Sequence, residues 1–119
     1  MKDLMLLLPV ERPIGFEYPH EFEYIVGLGL TNLTPWYVLS GNELRKVQAG
    51  LNARYPSRHL VPFARRQDND DIACWQSDSN VDVYIIHDFA SVGWEQRAHF
   101  GSFYAWLRQA IEDLIEFDT

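Results

Sequence analysis

A chain of 119 residues and 13.9 kDa has room for one domain around one core. Apolar residues make up 47% and aromatics 14%, which excludes a disordered chain. The 10 Lys and Arg against 17 Asp and Glu leave a net charge of −7; that argues against a general nucleic-acid binder, whose phosphate contacts need a basic surface, and suits a basic protein partner.

In chain order, the run Leu4-Met5-Leu6-Leu7-Leu8 looks briefly like a signal peptide. Pro9, Glu11 and Arg12 cut it well short of the about 7–15 apolar residues such a segment needs, so it is expected to be a short buried element. No stretch approaches the roughly 20 apolar residues of a membrane span. The segment Tyr18–Val26 predicts a first helix, with Pro19 at its first position, acidic Glu21 and Glu23 in the first turn, and Phe22, Ile25 and Val26 on one face. Gly27 and Gly29 end it, a loop runs from Leu30 to Pro35, and Trp36–Leu39 reads as a strand.

Ser40 and Glu43 stand three apart as a capping box, opening a helix to about Arg54 with Leu44, Val47 and Leu51 as its stripe. Gly50 within it costs about 1 kcal/mol relative to alanine. Three strands follow: Leu60–Arg66, placed at an edge or bulge by Pro62; Ile72–Ser77; and Asp82–His87, apolar on both faces and so central. Turns at 67–71 and 78–81 join them. Pairing Ser77 with Asp82 sets Trp75 opposite Tyr84 and Cys74 opposite Ile85. Residues 88–100 read as irregular. Ser102 caps a last helix to about Glu116, with Phe103, Trp106, Leu107, Ala110, Ile111 and Leu114 on one face. The expected fold is α+β over residues 1–119, a mostly antiparallel sheet with helices packed on it.

Several residues could carry chemistry. Cys74 is the one cysteine, which excludes an intrachain disulfide or a Cys-rich zinc site and fits a cytoplasmic setting. In the expected register Cys74 and His87 share a face, the arrangement a thiolate nucleophile needs; a mid-strand cysteine also reads simply as a small core residue. His20, His59, His87 and His99 have no metal-ligand spacing, so neither metal nor cofactor is expected. Asp68-Asn69-Asp70-Asp71 lacks the later positions of a calcium loop; it reads first as a solvated turn and second as an acidic contact for a partner.

Trp36 and Trp94 lie in or beside loops, where tryptophan is a common binding hot spot. Charge is also segregated. Residues 45–66 hold six basic side chains (Arg45, Lys46, Arg54, Arg58, Arg65, Arg66) and no acid, while the segments 1–44 and 68–119 net −4 and −9. Such a block is a solvated face, pairs internally with the acidic flanks, or lets opposite faces of two copies meet. Nothing here assembles an active site, and a non-enzymatic binding domain is the expectation.

The order of the pieces resembles the SUKH superfamily, in the branch named after the yeast Smi/Knr cell-wall regulators. Tyr18-Pro19-His20-Glu21-Phe22-Glu23-Tyr24-Ile25 is similar to its opening helix, and Leu60-Val61-Pro62-Phe63-Ala64 to its I-P-F-A strand. Asp71–Trp75, Val83–Asp88 and Ser102–Leu107 resemble its next two strands and its closing S-F-x-x-[FW]-L helix. The resemblance covers about residues 16–116. It implies an α+β domain without catalytic residues. In bacteria it implies an immunity protein that neutralises a toxin, often a nuclease, by occlusion; a regulatory or scaffold module with a housekeeping partner is the alternative. No binding residue carries over from the family. From the residues themselves, Trp36, Asp68, Asp70, Asp71 and Trp94 are the candidate partner surface, on a monomer or homodimer that contacts protein and neither nucleic acid nor membrane.

Overall fold

The computed structural model describes residues 5–119. Pro19, with no amide hydrogen to leave unpaired, stands at the N-cap of helix α1 (His20–Gly27), and Glu21 and Glu23 occupy its positive first turn. Gly29 adopts a left-handed φ of 84°, which folds the Leu30 amide back to the Ile25 carbonyl at 3.3 Å and ends the helix. Then come β1 (Asn32–Leu33), β2 (Trp36–Val38), α2 (Gly41–Arg54), β3 (Leu60–Arg66), β4 (Asp71–Gln76), β5 (Ser79–His87), β6 (Gln96–Phe100) and α3 (Phe103–Asp118). The strands form one six-stranded sheet in chain order, antiparallel throughout, and the fold is α+β as expected. No helix among the described residues is long and apolar enough to cross a membrane.

Side-chain alternation decides which helix covers which face. Phe63 and Trp75 stack with ring centroids 4.3 Å apart, and Phe22 of α1 and Phe103 and Trp106 of α3 pack against them. Tyr37 and Arg65, cross-strand neighbours, point the other way and reach Glu43 of α2. The sheet is therefore sandwiched between α1 with α3 on one side and α2 on the other. This is why every position from Ile72 to Trp75 is buried and apolar. The Trp75 indole nitrogen is buried and has no hydrogen-bond partner among the described residues; the rings of Phe16, Tyr18 and Phe22 pack around the indole.

Several expectations need correction. Pro62 does mark a bulge, but β3 is an interior strand between β2 and β4, not an edge. The β4–β5 register is Cys74 with Tyr84 and Ala73 with Ile85, one residue from the expected one. A tighter turn pairs Gln76 with Ser79, and a bulge at Trp75 takes up the difference, so that Trp75 joins the aromatic core while Tyr84 faces α2's side. The stretch 88–100 is not irregular throughout, because Gln96–Phe100 pairs with β5 as β6.

The Ser40 capping box does not close. Ser40 is the N-cap of α2 without a side-chain bond, and Glu43 accepts the Tyr37 hydroxyl proton at 2.6 Å instead. Burial and this carboxylate push the Tyr37 phenol up to about 12. Ser102 does cap α3, accepting the Ala105 amide at 3.1 Å. In the N-terminal apolar run Leu7 is buried, Met5 and Leu8 are exposed, and Leu4 lies outside the described residues.

Candidate interaction site

The basic block is consumed inside the molecule. Arg45 binds Glu11 through two hydrogen bonds of 2.6 and 3.1 Å, Arg54 binds Asp88 through two of 2.6 and 2.7 Å, and Arg58 reaches Glu95 at 2.9 Å. Arg66 binds both oxygens of Asp68 and lies 3.5 Å from Asp113, and Arg65 sits 4.0 Å from Glu43. Lys46 alone of the six makes no ion pair among the described residues. The arginines of a +6 segment thus tie it to its acidic flanks, and two of the ties converge on one loop.

That loop joins β5 to β6 over residues 88–95. Asp88 and Glu95 close it at its base, each only 7% exposed, the two buried charged residues among those described. The His87 amide donates to the Glu95 carbonyl at 2.7 Å across the loop's neck. Asp88 takes the Arg54 fork and also the Phe89 amide at 2.9 Å. Glu95 takes Arg58 on one oxygen and the Gly93 amide on the other, at 2.7 Å. Burial by itself would raise the Glu95 carboxyl, but the bonds from Arg58 and from the backbone amides of Glu95 and Gly93 outweigh it and hold the group below its ordinary range. Tyr55, at the end of α2, donates its hydroxyl to the Ala90 carbonyl at 2.6 Å. Arg58 is further fixed by Gln76 and Gln96, at 2.9 and 2.6 Å, and lies over the Tyr84 ring.

Helix α2 leaves a place for this clamp. A Cβ on Gly50 would lie 2.6 Å from the Arg54 guanidinium, so the helix-weakening glycine is what lets Arg54 fold along α2 and reach Asp88. Above the clamp the loop turns its apolar side chains outward. Phe89 is 66%, Val92 73% and Trp94 79% exposed. Phe89 takes a left-handed φ of 68°, rare for an aromatic residue, with its ring 4.1 Å from the Arg54 guanidinium carbon. Such a backbone costs about 1–3 kcal/mol and persists only where the surroundings impose it. Here Arg54, the Asp88 carboxylate and Tyr55 impose it. The result is three uncovered apolar side chains on a braced loop, with the geometry a binding surface requires.

The candidate residues divide. Trp94 stands at the surface on this loop. Trp36 does not: it is 3% exposed, stacked edge-on with Trp106, and its indole donates to Asp113 at 2.9 Å, so the expectation of a surface role for it is corrected. A residue flanking a loop becomes core once its strand pairs under a helix. The acidic turn abuts the loop, since the Asp88 amide donates to the Asp70 carbonyl at 3.0 Å. Within it Asp68 is held by Arg66, which keeps its carboxyl below the ordinary range. Asp71 lies 2.8 Å from the His87 ring, and Asp70 makes no ion pair among the described residues. Asp70 and Trp94 are therefore the members of the set that are exposed, make no ion pair among the described residues and stand at the same end of the sheet.

Cys74 and His87 do not form a pair. His87 stands opposite Asp71 and Cys74 opposite Tyr84, which puts the two side chains on opposite faces of the sheet. Cys74 is fully buried, and burial pushes its thiol well above the ordinary value. Among the described residues no group of three His, Cys, Asp or Glu side chains could hold a metal ion. The sequence reading missed Phe89, Val92 and the Asp88 and Glu95 supports. The available signal was acidic residues bounding an apolar, glycine-containing loop downstream of an arginine-rich helix. Comparison of the chain with protein-family models, with curated proteins and with solved structures finds no match in any of the three.

Proposed function

We propose that the protein is a non-enzymatic protein-binding module that neutralises a toxin by covering its working surface, the role that the resemblance to SUKH immunity proteins implies. One observation supports this reading most: Phe89, Val92 and Trp94 are displayed on a loop braced by the Arg54–Asp88 and Arg58–Glu95 pairs, whose carboxylates are buried. Rigid aromatic anchors lose little entropy on binding, and such residues dominate interface energetics. Asp70 beside them, on a chain of net charge −7, favours a partner face with apolar pockets and cationic surroundings, as a nuclease surface offers.

The test is co-expression with the toxin encoded beside this chain. Protection by the native protein, a complex that survives gel filtration, and loss of both in Trp94→Ala at unchanged melting temperature are the expected results. Cell death despite normal expression, or a single constant partner that is no toxin, would sink the neutralisation reading; the second outcome would make the protein a regulatory or scaffold module.

A further inference from the structure

Three connections at one end of the sheet abut one another. The Gln67 amide of the β3–β4 turn donates to the Pro35 carbonyl of the β1–β2 hairpin at 2.9 Å, and the Asp88 amide at the base of the β5–β6 loop donates to the Asp70 carbonyl at 3.0 Å. Four strand spacings separate the hairpin from the base of that loop, about 20 Å. Helix α3 ends beside the hairpin. Its Asp113 takes the Trp36 indole proton, and its last turns bound a cavity of about 530 Å³ lined by Thr34, Leu114, Ile115, Phe117, Asp118 and Thr119. Leu114 packs partly against the core, but Ile115 is 49% and Phe117 48% exposed.

The charge around this cavity has one sign. Asp118 is the one charged side chain that lines it. Residues 109–119 hold Glu112, Asp113, Glu116 and Asp118 and no Lys, Arg or His. Asp113 is held by Trp36 and Arg66, whereas Glu112, Glu116 and Asp118 make no ion pair among the described residues. Glu116 and Asp118 stand at the negative end of the helix dipole, where a cation stabilises and a carboxylate does the opposite; no basic residue occupies that last turn. The arginines elsewhere at this end of the sheet are placed on other carboxylates: Arg66 on Asp68, Arg54 on Asp88 and Arg58 on Glu95, while Arg97 lines a separate cavity with Asp71 and Asp113. We infer that the end of α3 is a second contact for the protein partner, and that it takes a cationic segment carrying an apolar side chain. The apolar side chain enters the cavity against Ile115 and Phe117, and flanking Lys or Arg side chains meet Glu116 and Asp118. Such a segment answers the charge that the free helix end leaves unbalanced. A second copy of this chain does not, because a two-fold contact sets the same carboxylates against each other.

The inference rests on the reading above that the partner is a basic protein engaged at this end of the sheet, and the experiment separates the two. A fluorescein-labelled dodecapeptide of leucine and lysine, with a leucine and glutamate counterpart, is titrated against the full chain at low salt. Saturable binding of the first and not of the second is expected. It should weaken roughly tenfold in Ile115→Ser and in Phe117→Ser and several-fold in the double variant Glu116→Gln with Asp118→Asn. It should stay unchanged in Asp78→Asn, which removes an exposed carboxylate from the β4–β5 turn at the opposite end of the sheet. Bound peptide should slow hydrogen exchange at Thr34 and at residues 115–119. Ile115 and Phe117 are half exposed, so their serine variants should stay folded, and the double variant should raise the melting temperature of the free chain by about 2–5 °C. Equal binding of both peptides, indifference to both serine variants, binding that follows Trp94→Ala instead, a lowered melting temperature in the double variant, or a concentration-dependent dimer dissolved by Phe117→Ser would each overturn the inference. Toxin protection that needs Trp94, with no peptide bound, would leave the proposed function standing and remove this contact; peptide binding without toxin protection would do the reverse.

Discussion

Two segments at one end of the sheet are tied by arginine–carboxylate pairs, with different consequences. In the turn at 67–70, Arg66 holds Asp68 two residues away, and the two side chains remain 22% and 35% exposed. In the loop at 88–95, Arg54 and Arg58 reach 34 and 37 residues along the chain to carboxylates whose side chains are 9% exposed. The first pair closes a turn that Asn69 already shapes by accepting the Asp71 amide at 2.7 Å. The second pair fixes where an otherwise apolar, outward-facing loop stands. Sequence separation and burial, not the number of ion pairs, decide what such a pair contributes.

Arg58→Ala breaks the comparison most directly. It leaves Glu95 buried and unpaired, and removing one partner of a buried pair costs about 3–5 kcal/mol; with Arg58 17% exposed, the low end of that range is expected in urea unfolding. A loss below about 1 kcal/mol would show that the loop does not depend on the clamp. Gly50→Ala comes next and its sign is informative. Helix propensity alone predicts a gain of about 1 kcal/mol. The new Cβ would push the Arg54 guanidinium off Asp88, and a weakened charged hydrogen bond costs about 1.5–3 kcal/mol, so a net loss of about 1 kcal/mol is expected. In an Arg54→Ala background the same substitution should stabilise by about 1 kcal/mol, and a gain in both backgrounds would refute the role given to Gly50.

A smaller effect is expected from pH. The folded Glu95 carboxyl titrates below its ordinary value of about 4.3. A depressed folded value means that the pair stabilises the protein above pH about 4.3 and that this contribution fades as pH falls below it. The drop in unfolding free energy between neutral pH and pH about 3 should therefore be shallower in Glu95→Gln than in the native chain. Equal drops would place the acid sensitivity in other carboxylates.

These contrasts also explain what could be read from sequence. The helices, β3 and β4 were legible because each carries a strong local signal: Pro19, the Ser102 cap, and an apolar run buried on both faces. Strand β6 was not. Gln96-Arg97-Ala98-His99-Phe100 is polar because it is an edge, and its pairing with β5 is a tertiary fact. The register slipped by one because a bulge at Trp75 has no signature in composition. Trp94 was found by type alone. Phe89 was missed because its left-handed backbone depends on Arg54 and Tyr55, which are remote in sequence, acting with its neighbour Asp88.

The weakest substitution makes the sharpest control. Asp68→Asn removes the charge that Arg66 holds, yet Arg66 keeps Asp113 at 3.5 Å and the Trp36 ring beneath it. Asp68 stabilises the folded chain only above its ordinary value of about 3.9, through a bond that water and salt screen. The expected loss at neutral pH is within about 0.5 kcal/mol, shrinking further in about 1 M salt. Loss of more than about 1.5 kcal/mol would put this pair in the same class as Arg58–Glu95. Exposure would then not be what separates the two segments, and the acidic turn would have to be treated as a support of the loop it abuts through Asp70.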